Sequence, residues 1–136
     1  MKKIGKYVIQ GEIGRGGMGV VYKAYDPYLE EIVAVKTMSA EYSSQEGFRK
    51  KFFEEGKKTR RLKHENIIEV LDLDEDEGLP YLAMEFLEGR DLNDEILSHK
   101  LVSLEQKLRI MKEVCAGLSG DSSASQRLCG EFFYAL

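Results

Sequence analysis

The residues whose types and spacing could take part in chemistry are a glycine-rich run, a lysine and a glutamate. Residues 14–19 fit the pattern GxGxxG, Lys36 ends the apolar run 32–36, and Glu55 lies in a highly charged stretch. Glycines are needed where backbone amides must approach phosphates closely, because side chains would block them. Burying a lysine or a carboxylate costs free energy unless the two charges pair. Lys36 and Glu55 therefore predict a charged site beside the glycines.

The glycine run has other interpretations when it is taken alone. A dinucleotide-binding turn needs a strand before it and a helix after it. Here Val20, Val21 and Tyr22 follow directly, and β-branched and aromatic residues favour a strand. The pattern therefore disfavours an oxidoreductase and leaves an ordinary glycine-rich hairpin as the simpler alternative. Lys36 alone would likewise be a solvated charge at a sheet edge.

The elements that must position these residues are strands first and helices later. Alternating and β-branched runs predict strands over residues 7–14, 20–26, 32–36, 67–73 and 79–86. On the third strand, Ile32, Ala34 and Lys36 share one face. Helical spacing covers residues 44–63, a short helix is predicted near residues 92–99, and a long one follows. The order predicts an α+β fold, an antiparallel sheet of five strands with a packed helix, rather than alternating βαβ units.

The first long helix carries a carboxylate where its packing face should be apolar. The inward stripe of this helix is Phe48, Phe52, Glu55, Thr59 and Leu62. A carboxylate on such a face is costly unless it is paired, and Lys36 is the best-placed cation. The glycine run, strand lysine and inward glutamate therefore form one constellation.

The second long helix is predicted from its cap and its apolar face. Ser103 and Gln106 fit a capping box at its start. Its apolar positions are Leu104, Leu108, Met111, Cys115 and Leu118.

Composition limits the class of protein and its partners. The 136 residues are 43% hydrophobic and 32% charged, which is typical of one globular domain. A net charge of −4 argues against general affinity for nucleic acid or anionic lipid, and the basic run 57–63 lies on the outer face of its helix. No apolar run approaches a membrane span or a secretory signal, and Cys115 and Cys129 form no CxxC pair that would indicate zinc. We expect a cytoplasmic protein.

Several motifs resemble those of serine/threonine protein kinases, bacterial ones in particular. Residues 13–24 look like the phosphate-covering loop of that family, and residues 34–36, Ala-Val-Lys, resemble its β3 lysine motif. Residues 52–55 are similar to the αC segment that carries its glutamate. Residues 64–68 resemble the entry to the fourth strand, with Glu65 in place of proline, and residues 84–89 look like the gatekeeper and hinge. The resemblance covers roughly residues 7–118.

The resemblance implies an ATP site and assigns its parts. Backbone amides of residues 16–19 would cover the β- and γ-phosphates, Lys36 would neutralise the α- and β-phosphates, and Glu55 would hold Lys36. Val21 and Ala34 would press on the adenine, and backbone groups of Glu85 and Leu87 would contact it. The implied nucleotide-binding residues are Ile13, Gly14, Arg15, Gly16, Gly17, Met18, Gly19, Val20, Val21, Ala34, Lys36, Met84, Glu85 and Leu87.

The same resemblance divides the chain into three parts. Residues 1–89 would form the N-lobe and hinge, and residues 90–118 the αD and αE helices that begin the C-lobe. Residues 119–136 depart from the family pattern and are predicted to be disordered, since Gly120 and a serine cluster break the helix.

The parts of a kinase that transfer phosphate are missing from the sequence. The His-Arg-Asp loop, its asparagine and the Asp-Phe-Gly motif would follow the helix that ends near Leu118, and residues 119–131 contain none of them. Mg²⁺ is expected for the family, but its ligands are absent, and a protein substrate is expected only if the C-lobe is restored. A frameshift or a naturally short gene could explain this.

Three interpretations stay open. The chain is part of a serine/threonine kinase that is inactive by itself, or a non-catalytic nucleotide-binding or protein-interaction module, or an unfolded product.

Overall fold

The computed structural model describes residues 1–89, 92–98 and 103–119. In this part of the chain, six strands form one antiparallel sheet in the order β1-β2-β3-β4-β6-β5. The strands are β1 Lys3–Ile4, β2 Tyr7–Gly16, β3 Gly19–Asp26, β4 Glu31–Met38, β5 Val70–Asp76 and β6 Leu79–Glu85. The predicted α+β class is confirmed, with the two-residue β1 as one strand more than the sequence predicted.

Four helices occur in the described ranges. They are α1 Ala40–Ser43, α2 Glu46–Arg60, α3 Leu92–Leu97 and α4 Leu104–Ser119. The predicted helix over residues 44–63 corresponds to α2, and the short α1, which ends before residue 44, was not predicted. None of the helices in the described ranges is long and apolar enough to cross a membrane. The predicted tail lies outside the described residues from residue 120 onward.

The sheet buries apolar side chains on both faces because consecutive residues of a strand point to opposite sides. One face holds a cluster formed by Ile4, Tyr7, Ala24, Val33, Val35, Tyr81 and Ala83. The other face holds a smaller cluster of Val21, Ala34 and Met84, with Ile68 and Phe86 packed against it. Burial on both faces fixes the register of β3, β4 and β6.

Helix α2 packs against the sheet through a glycine. Phe52, Gly56 and Thr59 are its buried residues. A Cβ atom at Gly56 would lie 2.8 Å from Leu73 Cδ1 and 3.3 Å from Leu82 Cδ1, so only glycine allows this approach without a shift. No pattern in the sequence explains a glycine at this position, and the close packing against β5 and β6 does.

The predicted inward stripe of α2 needs one correction. Phe52, Thr59 and Leu62 are buried, but Phe48 is 38% exposed. The Phe48 ring packs edge-on against Tyr42 of α1, with 5.0 Å between ring centroids. The stripe therefore begins one turn later than the spacing indicated, because α1 occupies the place beside the first turn of α2.

The turn after β3 is organised by a buried carboxylate. Asp26 is 1% exposed, accepts hydrogen bonds from the amides of Tyr28 (2.9 Å) and Leu29 (3.3 Å), and pairs with Lys6 Nζ at 2.9 Å. Burial by itself would raise the pKa of Asp26, but the bonds from Lys6 and the two amides outweigh it and hold the pKa below its usual value.

The hairpin between β5 and β6 is a two-residue turn with left-handed backbone. Glu77 has φ 48° and Gly78 has φ 79°, between the paired residues Asp76 and Leu79. Two consecutive left-handed residues are typical of the type I′ turn, whose twist matches that of antiparallel strands.

By its contacts the described chain divides into two units. The first consists of residues 1–63 and 68–86, and the second holds residues 64–67 and the described residues from 87 onward. In the second unit, Asn66 Nδ2 donates to the carbonyl of Glu113 at 2.9 Å, and Gly117 is buried against the Asn66 backbone.

The predicted capping box of α4 is present. The Gln106 amide donates to Ser103 Oγ at 3.1 Å, and the Ser103 amide donates to Gln106 Oε1 at 3.4 Å. The apolar side chains of α4 are largely exposed, among them Leu104, Leu108, Met111 and Val114.

Candidate functional site

The glycine hairpin joins β2 to β3. Gly16 pairs with Gly19 across the hairpin, and Gly17 and Met18 form its tip. The Met18 carbonyl accepts a hydrogen bond from the Ser39 amide at 2.8 Å, which ties the tip to the end of β4. The side chains of Ile13 and Met18 are about half exposed.

The glycines of this hairpin differ in what the fold requires of them. A Cβ atom at Gly19 would lie 1.8 Å from the Thr37 carbonyl oxygen, so the backbone of β4 excludes any side chain there. At Gly14 it would make only an ordinary contact, 3.9 Å from Val21 Cβ, and at Gly16 and Gly17 it would meet nothing within 4 Å. None of these three glycines has a positive φ. The described fold therefore explains Gly19 but leaves an open surface above the other three.

Two predicted residues of the hairpin are directed away from the Val21 face. Arg15 pairs with Val20, and Val20 pairs with Thr37, which sets both on the opposite face from Val21. Arg15 also makes two hydrogen bonds to the Glu12 carboxylate, at 2.8 and 2.6 Å. A contact from Arg15 or Val20 with a ligand on the Val21 face would thus come from their backbones.

Lys36 lies on the face that carries the smaller apolar cluster. It pairs with Val21 on one side and Leu82 on the other, and Ala34 is two residues away on the same strand. Val21, Ala34 and Met84 are 4%, 4% and 3% exposed, so the lysine stem is surrounded by apolar groups. The structure brings these four predicted residues together beside the glycine hairpin.

The charge of Lys36 is governed by burial and by Glu55. Burial lowers the pKa of the Lys36 amine, and the Glu55 carboxylate acts in the opposite direction by raising it. The Glu55 carboxylate therefore acts electrostatically on the amine of the strand lysine.

Glu55 also interacts with a second lysine, which sequence reasoning missed. Its side chain is 26% exposed, and its Oε1 lies 3.8 Å from Lys51 Nζ, one helical turn earlier. The signal was available in the spacing, since residues four apart on a helix are neighbours. The carboxylate thus lies between a lysine of its own helix and the lysine of β4.

The predicted hinge residues fall in different units and are described separately. In the first unit, the Glu85 amide donates to the Glu69 carbonyl at 3.0 Å, and the Glu85 carboxylate accepts from the Glu69 amide at 2.8 Å. A backbone contact from Glu85 to a ligand would therefore use its carbonyl. Leu87, in the second unit, is 64% exposed.

Acidic, histidine and cysteine side chains do not gather into a metal site in the described ranges. No group of three or more of them could hold a metal ion there. The prediction that the ligands of Mg²⁺ are absent from the whole chain is not tested by this observation.

Comparison with known proteins identifies the class. A model of the protein kinase domain matches residues 7–120. Because this match takes in most of the 136 residues, the chain belongs to the protein kinase family.

The similar proteins are bacterial serine/threonine kinases. PksC of Streptomyces coelicolor is 34% identical over 122 residues, which are 84% of this chain and 22% of PksC. PrkC of Bacillus subtilis is 32% identical over 115 residues, 85% of this chain and 18% of PrkC. Among solved structures, the PknI kinase domain of Mycobacterium tuberculosis superimposes with a TM-score of 0.77 and 26% identity.

The chain is shorter than these relatives. It spans about a fifth of the two curated kinases, and the PknI superposition covers 88% of this chain but 48% of the solved kinase domain. The predicted family and the kinase fold of the sheet and helices are confirmed, for a fragment of the domain.

Proposed function

We propose that this chain is the ATP-binding part of a serine/threonine protein kinase. One observation carries the proposal: Lys36 is half-buried on the face of Val21, Ala34 and Met84, where the charge of Glu55 acts on its amine. Removing a lysine amine from water lowers the stability of the fold, and binding of an anionic ligand would offset that cost. Membership of the kinase family supplies the ligand, since phosphates of ATP meet a lysine of this type.

The glycine hairpin fits the phosphates of that ligand. An added Cβ atom would meet nothing within 4 Å at Gly16 and Gly17, and only Val21 Cβ at 3.9 Å at Gly14, so these glycines leave an open surface. Backbone amides around a bare glycine tip can approach an anion closely. In this proposal Lys36 and the hairpin bind the phosphates, Val21, Ala34 and Met84 contact the adenine, and Glu55 orients Lys36.

We further propose that the 136 residues bind ATP without transferring its phosphate. The sequence has neither a His-Arg-Asp nor an Asp-Phe-Gly motif, which in kinases supply the catalytic aspartate and the Mg²⁺ ligands. Mg²⁺ chemistry and recognition of a protein substrate would belong to a complete domain, acting in the cytoplasm, in which residues 1–89 serve as N-lobe and hinge and residues 90–118 begin the C-lobe.

ATP binding can be tested by thermal unfolding at increasing nucleotide concentration. A ligand that binds only the folded state stabilises it by about 2.7 kcal/mol at 100 times its Kd. We expect Lys36→Met to weaken binding about tenfold to a hundredfold, because it removes a charge-assisted bond to phosphate. Lys57→Met, which removes an exposed lysine of α2, serves as the control.

The outcomes of this titration test ATP binding and the role of Lys36 separately. A folded wild-type chain that ATP does not stabilise would refute ATP binding. Wild-type affinity in Lys36→Met would refute the role of Lys36 alone.

A protein-interaction module is the second candidate, and helix α4 favours it. Leu104 is 71% and Met111 63% exposed, so the apolar face of this helix is open in the described chain. Such a face fits a protein partner better than water. The same titration discriminates the two functions, since an interaction module needs no stabilisation by ATP.

A further inference from the structure

Helix α2 is fastened to the β5–β6 turn by Arg49. One guanidinium nitrogen of Arg49 donates to the Gly78 carbonyl at 2.8 Å, and the other forms an ion pair with the Glu75 carboxylate. The guanidinium also lies 5.7 Å from the ring centroid of Phe53. An arginine that makes two directed bonds and a ring contact is fixed in orientation, unlike a solvated surface lysine.

The turn that receives Arg49 has a defined shape. Glu77 and Gly78 both take left-handed backbone, which closes β5 and β6 with two residues and sets the position of the Gly78 carbonyl. Strand β6 continues from this turn to Leu82, the residue paired with Lys36. The turn and the site lysine are thus parts of one hydrogen-bonded sheet.

Arg49 and Glu55 lie on one rigid helix. Glu55 lies six positions after Arg49, which is about 9 Å along the helix axis. Directly after Glu55, Gly56 allows α2 to approach Leu73 and Leu82 closely, and Leu82 is the residue paired with Lys36. A helix held near its start by Arg49 and close to the sheet at Gly56 cannot tilt without moving Glu55.

We propose that Arg49 is a positioning residue, which keeps Glu55 beside Lys36 by fastening α2 to the β5–β6 turn. Its effect on nucleotide binding rests on the proposed function, whereas its effect on the distance between Glu55 and Lys36 does not. The β5–β6 turn thereby becomes a remote determinant of the site.

The first test needs no ligand. A water-soluble carbodiimide joins carboxylates to amines that touch them, and mass spectrometry can count the Glu55–Lys36 and Glu55–Lys51 cross-links. The Lys51 link is internal to α2 and survives any tilt, so the ratio of the two links reports the position of the helix. We expect Arg49→Met to lower the Lys36:Lys51 cross-link ratio about fivefold. This is the change that corresponds to the loss of one partly exposed, charged hydrogen bond.

Matched variants test whether the effect comes from the contact between Arg49 and the β5–β6 turn. Lys50→Met removes a neighbouring exposed charge and should leave the ratio unchanged. Glu75→Gln should lower the ratio from the other side of the contact, and Arg49→Lys should restore part of it. A wild-type ratio in both Arg49→Met and Glu75→Gln, with the fold intact, would overturn the proposal.

The second test measures ATP affinity in a double-mutant cycle. If Arg49 acts through Glu55 and Lys36, Arg49→Met should weaken ATP binding about fivefold in the wild type and have no further effect in Lys36→Met. An equal loss in both backgrounds would overturn the positioning route. A wild-type chain that binds no ATP would remove the proposed function, while a lowered cross-link ratio would still support the fastening.

Discussion

At the scale of single residues, the glycines of the β2–β3 hairpin separate what the fold needs from what a ligand needs. Gly19 lies so close to the Thr37 carbonyl that a methyl group there would overlap it, whereas Gly16 and Gly17 face open space. The GxGxxG pattern groups these positions together. In the structure, packing against β4 requires a glycine at position 19, whereas only an external ligand would require glycines at positions 16 and 17.

The different reasons predict different costs of the same substitution. Gly19→Ala should destabilise the chain by about 2–3 kcal/mol, because the new Cβ forces β3 away from the β4 backbone. Gly17→Ala should stay within about 0.5 kcal/mol of the wild type, as a surface change with no contact. Urea unfolding of both variants checks this. Equal stability of the two would contradict the steric account of Gly19.

The charged residues of the site were predictable only in part. Glu55 stood out in the sequence because it interrupts an apolar stripe, and Lys36 because it ends an apolar strand. Lys51 could have been found from its i, i+4 spacing to Glu55, whereas nothing in the sequence distinguished Arg49 from the other basic residues of the helix. The role of Arg49 depends on the tertiary fold, which places the β5–β6 turn beside it.

At the scale of elements, α2 holds two glycines with opposite roles. Gly56 lies under Leu73 and Leu82, whereas a Cβ atom at Gly47, near the start of the helix, would meet nothing within 4 Å. Alanine is a better helix former than glycine by up to about 1 kcal/mol at an interior position. Packing therefore decides whether that gain is realised.

The same substitution at the two positions should change stability in opposite directions. Gly47→Ala should stabilise the chain by a few tenths of a kcal/mol, roughly half of the interior helix preference. Gly56→Ala should destabilise it by about 1 kcal/mol net, since overpacking against Leu73 outweighs the helix preference. Chemical denaturation of both variants checks the signs. Stabilisation by Gly56→Ala would show that α2 and β5 separate at little cost.

Element boundaries show where sequence reasoning ends. Strand β5 begins at Val70 rather than at residue 67, and the short helix α1 before α2 was not predicted. Apolar residues such as Ile67 and Ile68 look alike in a strand and in a packed loop. Only the tertiary contacts distinguish them, and Ile68 packs against the Val21 cluster instead of extending the ladder.

At the scale of the whole molecule, the ion pair between the buried Asp26 and Lys6 makes stability depend on pH. The pKa of Asp26 is lower in the folded chain than its ordinary value of 3.8. A carboxyl group of this kind stabilises the fold fully above the unfolded pKa, and that stabilisation is lost as pH falls through the folded pKa. The first turn after β3 and the Lys6 segment are therefore coupled to acid unfolding.

Asp26→Asn should cost about 2 kcal/mol near pH 7, because it removes the charge from a buried acceptor of three bonds. It should also flatten the fall in stability below about pH 4, since the titrating group is gone. Urea unfolding between pH 3 and pH 7 measures both effects. Glu65→Gln, at an exposed position, is the control. If stability falls as steeply at acid pH in Asp26→Asn as in the wild type, Asp26 is not the group responsible.

The two outer strands of the sheet have a further consequence for how copies of the chain meet. An unpaired strand edge is a template on which a second chain can add its own strand. Here β1 is two residues long, and β5 carries Asp72, Asp74, Glu75 and Asp76 among its seven residues. The β5 border would set carboxylates against carboxylates in any symmetric pairing. We therefore expect two copies of the chain to resist pairing along β5 while these acids are ionised.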